Sequence, residues 1–564
     1  MRGKIRRLWA LLGIVVILCS ACQAPKQERA GEGASAGGAK TVAEGTESGP
    51  GGTGAEASAG GSGQAAIETR RGAGENDTAA AGTNSAADPD DDEDIAEIEI
   101  MFWTLAGLPR DTASVEEAIN KITREKIHTE IHLNILESGN YVQQVNLMMA
   151  GDEKIDLMVT LPGGSAHFNS MTAQNQLTDL TELLEEYAPQ LLKTVPEKWM
   201  AATAIDGRYY AVPSFGDKVT PLYFVCRKDI FDQTGISKEQ ITSMKDLEVL
   251  FGKALEAAPE LAPVAAARRV LGIPYFVDAD GNLVKYDGLG DGDNAIIGIM
   301  DKDGTTIVNN YEREEFIYTC ELFRNWYDQG YIYKDCLNYN DVARQQVADN
   351  VAFGYFGTIS TGGEVTESVF CNHEMEFILL DGNPLLTTSD LRRFTWAVPA
   401  TSTEKEAAVK FLNLLYTDEE ILNLITWGIE GSHYRVMADG SIDFPEGQDR
   451  DSCSYYIGDI TPILGNGFLA KVRSEQDLDL REKALALNLD ANISDFVGFT
   501  FSTDGLENEI AAMTNAVEEY RPSLMCGAYT EEYYEEFMKK MRDVGVDKYI
   551  DAIQKQLHGF LGGH

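Results

Sequence analysis

Apolar and polar positions alternate in AEIEIMFW, from Ala96 to Trp103, which predicts a half-buried strand. In SVEEAINKITREK the spacing lengthens, and Val115, Ile119 and Ile122 fall on one helical face. Ile127, Thr129, Ile131, Leu133 and Ile135 restore the two-residue period and predict a second strand. NYVQQVNLMMAGDEKIDLMVT then predicts a helix through Met149, a stop at Gly151 and a third strand from Ile155 to Val159. This β-α-β-α-β order predicts a mostly parallel sheet with helices on both faces. Further on, two helices lead to a hairpin turning at Asp206-Gly207, then the strand PLYFVCRKDIF and the helix SMKDLEVLFGKALEAA. Trp326 shares a helical stripe with Phe316, Cys320 and Phe323, so it is assigned to a core.

The same periodicity disposes of a misleading motif. HTEIH places His128 and His132 four apart around Glu130, but metalloproteases need H-E-x-x-H on a helix. Here the period is two, and the segment reads as a strand. The Asp-Gly stretches DADGNL, YDGLGDGDN and DKDGTT lack the full ligand set of a calcium loop and read as turns. No metal and no cofactor is expected.

The N-terminus is of another kind. Arg2, Lys4, Arg6 and Arg7 precede an apolar run from Leu8 to Leu18, and small residues lead to Cys22. The run is too short for a comfortable membrane span and reads as a secretory signal over residues 1–21. It resembles a lipoprotein signal, although Cys19 stands where that pattern usually has Leu. The resemblance implies cleavage before Cys22, lipidation of that cysteine and anchoring on the extracellular face of the cell membrane. Residues 22–95 are rich in Gly, Ala, Ser, Thr and acidic residues. Such a segment buries too little surface to offset its ordering entropy, so a tether with a reach of about 45–50 Å is expected.

Some 470 residues remain, which suggests two lobes. The net charge of -43 argues against nucleic acid as a partner. Six cysteines follow Cys22: Cys226, Cys320, Cys336, Cys371, Cys453 and Cys526. They form no C-x-x-C pair, and mostly free thiols are expected.

DGRYYAVP, LYFVCRKDIF, DGTTIVNNYEREEFIYTCELFRNWYDQGYI and FLNLLYTDEEILNLITWGIEGSHY, in that order, resemble extracellular solute-binding proteins of bacterial ABC importers. The nearest group comprises Gram-positive lipoproteins for sugars and oligosaccharides. The resemblance runs from Ala96 to the C-terminus. It implies an α/β fold of the type II binding-protein kind, with two lobes, each a mixed sheet flanked by helices, and a ligand cleft at the hinge. Lobe 1 would take residues 96–216 and about 393–426; lobe 2 would take 217–392 and about 427–564. The implied partners are a small carbohydrate ligand and the transmembrane permease subunits, with the chain itself a monomer. Peptides or other small solutes remain alternatives for the same mechanism.

A sugar cleft needs flat rings for the apolar face of the pyranose and planar polar groups for its hydroxyls. The loop TWGIEGSHYR offers Trp427 as a platform, Glu430 as a bidentate acceptor, and His433 and Tyr434 as hydroxyl partners. The competing reading is a structural turn with Trp427 as a core anchor. Other candidates lie at predicted strand ends and crossings: Trp103, Tyr141, Phe215, Asp217, Lys218, Tyr355 with its neighbour Phe356, and Trp396. No catalytic residue is expected. The one G-x-S-x-G match, Gly33 to Gly37, lies in the tether with no strand before it, and the 90 Asp and Glu residues leave a secreted glycan-active enzyme as the rival class.

Overall fold

The long apolar run of the first strand has a direct structural consequence. In the computed structural model, β1 (Ala96–Thr104) buries Ile98 and then every residue from Ile100 to Thr104. A strand buried on both faces needs a helix layer on each side. That layer begins with α1 (Thr112–Ile127) and α2 (Tyr141–Ala150), which follow β1 and β2 (Thr129–Glu137). β1 runs between β2 and β3 (Leu157–Thr160), parallel to both. Strand Thr395–Ala397 pairs antiparallel with β3, and Val212–Pro213 pairs antiparallel with Thr395–Ala397, completing a five-stranded sheet in which only Thr395–Ala397 runs against the rest. The structure describes residues 95–562 except 152, 163, 273–274, 290–296 and 340–341. The signal segment, Cys22 and the tether lie outside the described residues.

The second strand begins later than its alternation predicts. Ile127 ends α1, and His128 closes the helix in the left-handed conformation at φ 50°. The helix claims Ile127 because its carbonyl ladder runs on to that residue. His132, on β2, faces Glu116 of α1 at 3.4 Å.

The second lobe has a four-stranded sheet in the order Met375–Asp381, Leu222–Arg227, Ala352–Thr358, Ala262–Val264. Only the last pair is parallel. Its core gathers Phe224, Phe251, Trp326 and Phe356, together with C-terminal helix residues such as Val517, Phe537 and Leu557. Trp326 stacks on Phe356 at 6.3 Å between ring centres and donates its indole N–H to Glu248 at 2.9 Å. All six cysteines of the folded part are buried thiols.

The expected return to lobe 2 at Trp427 is corrected. Tyr455, Ile457, Ile460 and Leu464 pack in the first lobe's core, and the second core resumes only near Phe499. The reason is local pairing: the Leu105 N–H donates to the Ile457 carbonyl at 3.0 Å, which ties the late segment to the end of β1. The chain therefore passes between sheets near residues 214–221, 382–394 and 490–498. The second and third passages pair with each other through Leu386, whose N–H donates to Asn492 and whose carbonyl accepts from Ser494.

Candidate functional site

In a parallel sheet the strand ends that precede the helices share one edge, and ligands of open α/β sheets bind there. Trp103 stands at that edge. Its ring packs against Tyr141 at 5.1 Å and Phe394 at 5.5 Å between centres. Trp103 is buried, yet its indole N–H has no acceptor among the described residues. An orphaned buried donor costs on the order of 1–3 kcal/mol, so such a group is a place where a ligand oxygen gains most. Phe394, half-buried just before the strand Thr395–Ala397, continues the aromatic wall. The Lys218 ammonium lies 5.8 Å from the Phe394 ring centre, on the first passage between lobes.

The hinge beside this wall is a polar lattice. Asn488 accepts the backbone N–H groups of Lys218 at 2.7 Å and Val219 at 3.1 Å through its carbonyl oxygen. Its amide donates to Asp217 at 2.8 Å, and the other Asp217 oxygen accepts from the Thr361 N–H of lobe 2 at 3.1 Å. Burial raises the Asp217 carboxyl above its ordinary range, against the pull of these donors. Lys218 donates to Ser214 at 2.8 Å. Burial, helped by the nearby Arg393 charge, brings the Lys218 ammonium down to about 7. Arg392 is buried with no carboxylate partner among the described residues. It donates to the Ala202 carbonyl, to Asn169 at 2.8 Å in lobe 1 and to Thr500 at 2.8 Å just past the third passage, and burial lowers its pKa to about 9. Phe394, Asn488 and Arg392 escaped sequence reasoning. Only the run RRFTW, a cationic pair before an aromatic strand, carried a signal for any of them.

The glycine loop takes a different role from the one its composition suggests. Trp427 ends the helix Glu419–Trp427 and is only 4 % exposed, packed with Tyr434, Ile442 and Tyr456 in a small satellite core. It is therefore an anchor and presents no stacking face. Gly428 follows at φ 80°, and a Cβ there would overlap the His433 ring. His433 is buried, its Nδ1 accepting from the Ile429 N–H at 3.0 Å and its Nε2 lying 3.1 Å from Asp111. Asp111, just ahead of α1, is held below its usual range first by Ser114 and then by His433. Lys126 at the other end of α1 pairs with Asp418 before the helix of Trp427, so that helix runs antiparallel to α1. The loop thus sits at the same edge as Trp103, and of its four candidates only Glu430 is exposed.

Four other expectations are corrected. Tyr141 is buried, and its hydroxyl hydrogen-bonds the Val159 carbonyl at 2.7 Å and that residue's N–H at 3.2 Å; α2 lies directly over the sheet, and the phenol is used within it. Phe215 is an edge-on core ring between Trp199 at 5.4 Å and Phe468 at 5.0 Å. Trp396 donates to the Ile463 carbonyl at 3.1 Å from inside lobe 1. Tyr355 donates to Glu367 at 2.5 Å, which pairs with Arg344 at 2.7 Å, all within lobe 2. A recess of about 690 Å³ also opens on lobe 2, among residues such as Lys302, Asn309, Arg313 and Asp551. Among the described residues, no aromatic ring and none of the expected residues lines it.

Comparison with known proteins agrees with this architecture. The model of bacterial extracellular solute-binding proteins matches residues 117–432, and a domain of unknown function (DUF3502) matches residues 495–562. A carbohydrate ABC transporter substrate-binding protein of Streptococcus pneumoniae serotype 4 is 23 % identical over 480 residues, 82 % of this chain and 91 % of that protein. Among solved structures, the N-glycan transport solute-binding protein of S. pneumoniae superposes with a TM-score of 0.69 at 21 % identity, over 83 % of this chain and 99 % of that one. An HMO-binding ABC-transporter-associated protein of Bifidobacterium longum infantis gives 0.56 at 15 % identity, over 82 % and 99 %. With a family model spanning more than half its length and two lobes of the matching architecture, the chain belongs to the bacterial extracellular solute-binding protein family.

Proposed function

We propose that the chain is the substrate-binding component of an ABC importer, capturing an oligosaccharide between its lobes and passing it unaltered to a membrane permease. The observation that carries this reading is the aromatic sheet edge of Trp103 and Phe394, with an orphaned indole donor, beside a polar hinge. The half-buried Phe394 ring covers the C–H face of a pyranose, backed by Trp103, which at 1 % exposure offers no stacking face of its own but whose N–H takes a hydroxyl oxygen when the edge opens. The names of the relatives, which are carbohydrate and N-glycan transport proteins, support a sugar over a peptide. Lys218 and the exposed Glu430 at the rim supply further hydroxyl partners.

Ligand reaches both lobes only when they close, so binding shifts the population toward the closed form. Asp217 and Asn488 lie where that motion bends the chain. In this reading Cys22 carries the lipid, the tether holds a monomer off the outer membrane face, and no bond in the sugar is broken.

The test is a thermal-shift screen across oligosaccharides, with the recovered sugar identified by mass spectrometry. A ligand at 100 times its Kd stabilises the protein by about 2.7 kcal/mol. Stabilisation by one sugar class, with the sugar recovered intact, is expected. Stabilisation by peptides alone, or a cleaved sugar, overturns the reading.

A further inference from the structure

Cys336 and Cys526 stand 190 positions apart (526 − 336) and meet in lobe 2. Cys336 follows the helix Glu314–Asp328, its N–H donating to the Tyr333 carbonyl at 3.2 Å. Cys526 closes the helix Glu507–Met525, its N–H donating to Pro522 at 3.1 Å. One short segment pins both: the Arg268 N–H donates to the Cys336 carbonyl at 2.9 Å, and the Val270 N–H to the Met525 carbonyl at 3.0 Å. The two thiols lie close enough to perturb each other's ionisation, and Tyr327 lies beside both. Neither position has room to drift. Gly527 packs its backbone against the Phe323 carbonyl, where no Cβ fits, and both cysteine side chains are fully buried. Cys371 and Cys453, by contrast, direct their thiols at backbone carbonyls.

We propose that Cys336 and Cys526 form a disulfide in the exported protein, stapling its C-terminal helices to the segment that follows the helix Glu314–Asp328. The bond needs an oxidising compartment, so it rests on export of the chain, but not on which ligand the cleft takes. It forms during folding, before the thiols are sealed. One cysteine, having lost its proton, attacks the disulfide of an extracytoplasmic thiol oxidant, and one oxidant sulfur leaves as thiolate. The second cysteine then loses its proton and displaces the other oxidant sulfur. The S–S bond is made, and two electrons and two protons depart on the oxidant, now a dithiol.

The full chain, purified from an exporting host and checked by intact mass for signal removal, is denatured without reductant, alkylated and peptide-mapped. A peptide linked through Cys336 and Cys526 is expected, with Cys226, Cys320, Cys371 and Cys453 alkylated. Reductant should lower the Tm by about 5–10 °C, as expected for a long closed loop. The double variant Cys336→Ala/Cys526→Ala should lose the linked peptide and show no Tm response to reductant. Alkylation of all six cysteines in exported material, or a link through any other pair, overturns the proposal. An unprocessed signal would mark failed export, and the oxidation is then read from protein refolded with oxidised glutathione, where the same linked peptide supports the pairing and its absence overturns it.

Discussion

Trp103 and Trp427 invite comparison. Both are buried, both sit at the same edge of the first lobe, and both leave the indole N–H without an acceptor among the described residues. Their surroundings separate them. Trp103 ends a central strand and joins Phe394 and Lys218 in a line leading to the hinge. Trp427 ends a helix and fills a satellite core, with the Arg473 guanidinium 6.0 Å from its ring centre. An aromatic ring on a glycine-hinged loop thus has the composition of a binding residue and the packing of an anchor. Position on the sheet, rather than residue type, marks the ring next to the moving parts.

Truncation of the two rings should split affinity from stability. Trp103→Ala should weaken sugar binding by about 10–100-fold, on the order of 1.5–3 kcal/mol, measured by calorimetric titration. It should also destabilise the lobe. Trp103→Phe should keep much of the packing and still lose affinity, since the donor is gone. Trp427→Ala should destabilise by about 3–5 kcal/mol in urea unfolding while the folded fraction binds sugar as tightly as the parent. Equal losses of affinity in the two variants would erase the contrast drawn between them.

The next effect in size concerns the hinge. Asn488→Ala removes the acceptor for two backbone N–H groups and one donor to Asp217. A cost of about 1–3 kcal/mol is expected, with a changed balance of open and closed forms in small-angle scattering. A variant with parental stability and scattering would show that the lattice does not govern closure.

The last effect is one of pH. The folded pKa of Lys218, about 7, lies below its ordinary value of 10.5. Between these values the unfolded chain binds more protons than the folded one, so stability from this group rises with pH. The cost of the buried charge is present in full below pH 7 and gone above about 10.5. Lys218→Met should flatten that slope in urea unfolding measured from pH 7 to 10. A slope equal to the parent's would assign the pH dependence to other groups, Arg392 among them.

Local pattern made the first half of lobe 1 legible. The strand period of β1 and of β2 from Thr129 on, the helical stripe of α1 and the Asp206-Gly207 turn appear where the spacing predicts, because each reflects a local backbone period; only Ile127, taken by α1, and the burial of both faces of β1 depart from it. The core place of Trp326 was legible for the same reason. The candidate site was much less so. Tyr141, Trp396 and Tyr355 carry the residue types of a sugar site, but their polar atoms bond to carbonyls or carboxylates inside their own lobes. Those partners come from segments 12 to 67 positions away, beyond the reach of any local period. Asn488 was missed because nothing in its neighbourhood distinguishes it from a surface helix residue, and Phe394 because its one signal, the cationic pair before it, does not say which way the ring faces.

The amino-acid sequence by itself determined the α/β class, the two-lobe family resemblance and the order of the opening elements, since periodicity and turn chemistry act over a few residues. Tertiary structure alone decided which rings face the hinge, where the chain crosses between sheets, and that Cys336 and Cys526 meet. Those outcomes depend on pairings such as Leu105 with Ile457 and Asp217 with Asn488. Each joins positions hundreds of residues apart, where burial energy summed over the whole core selects the partner.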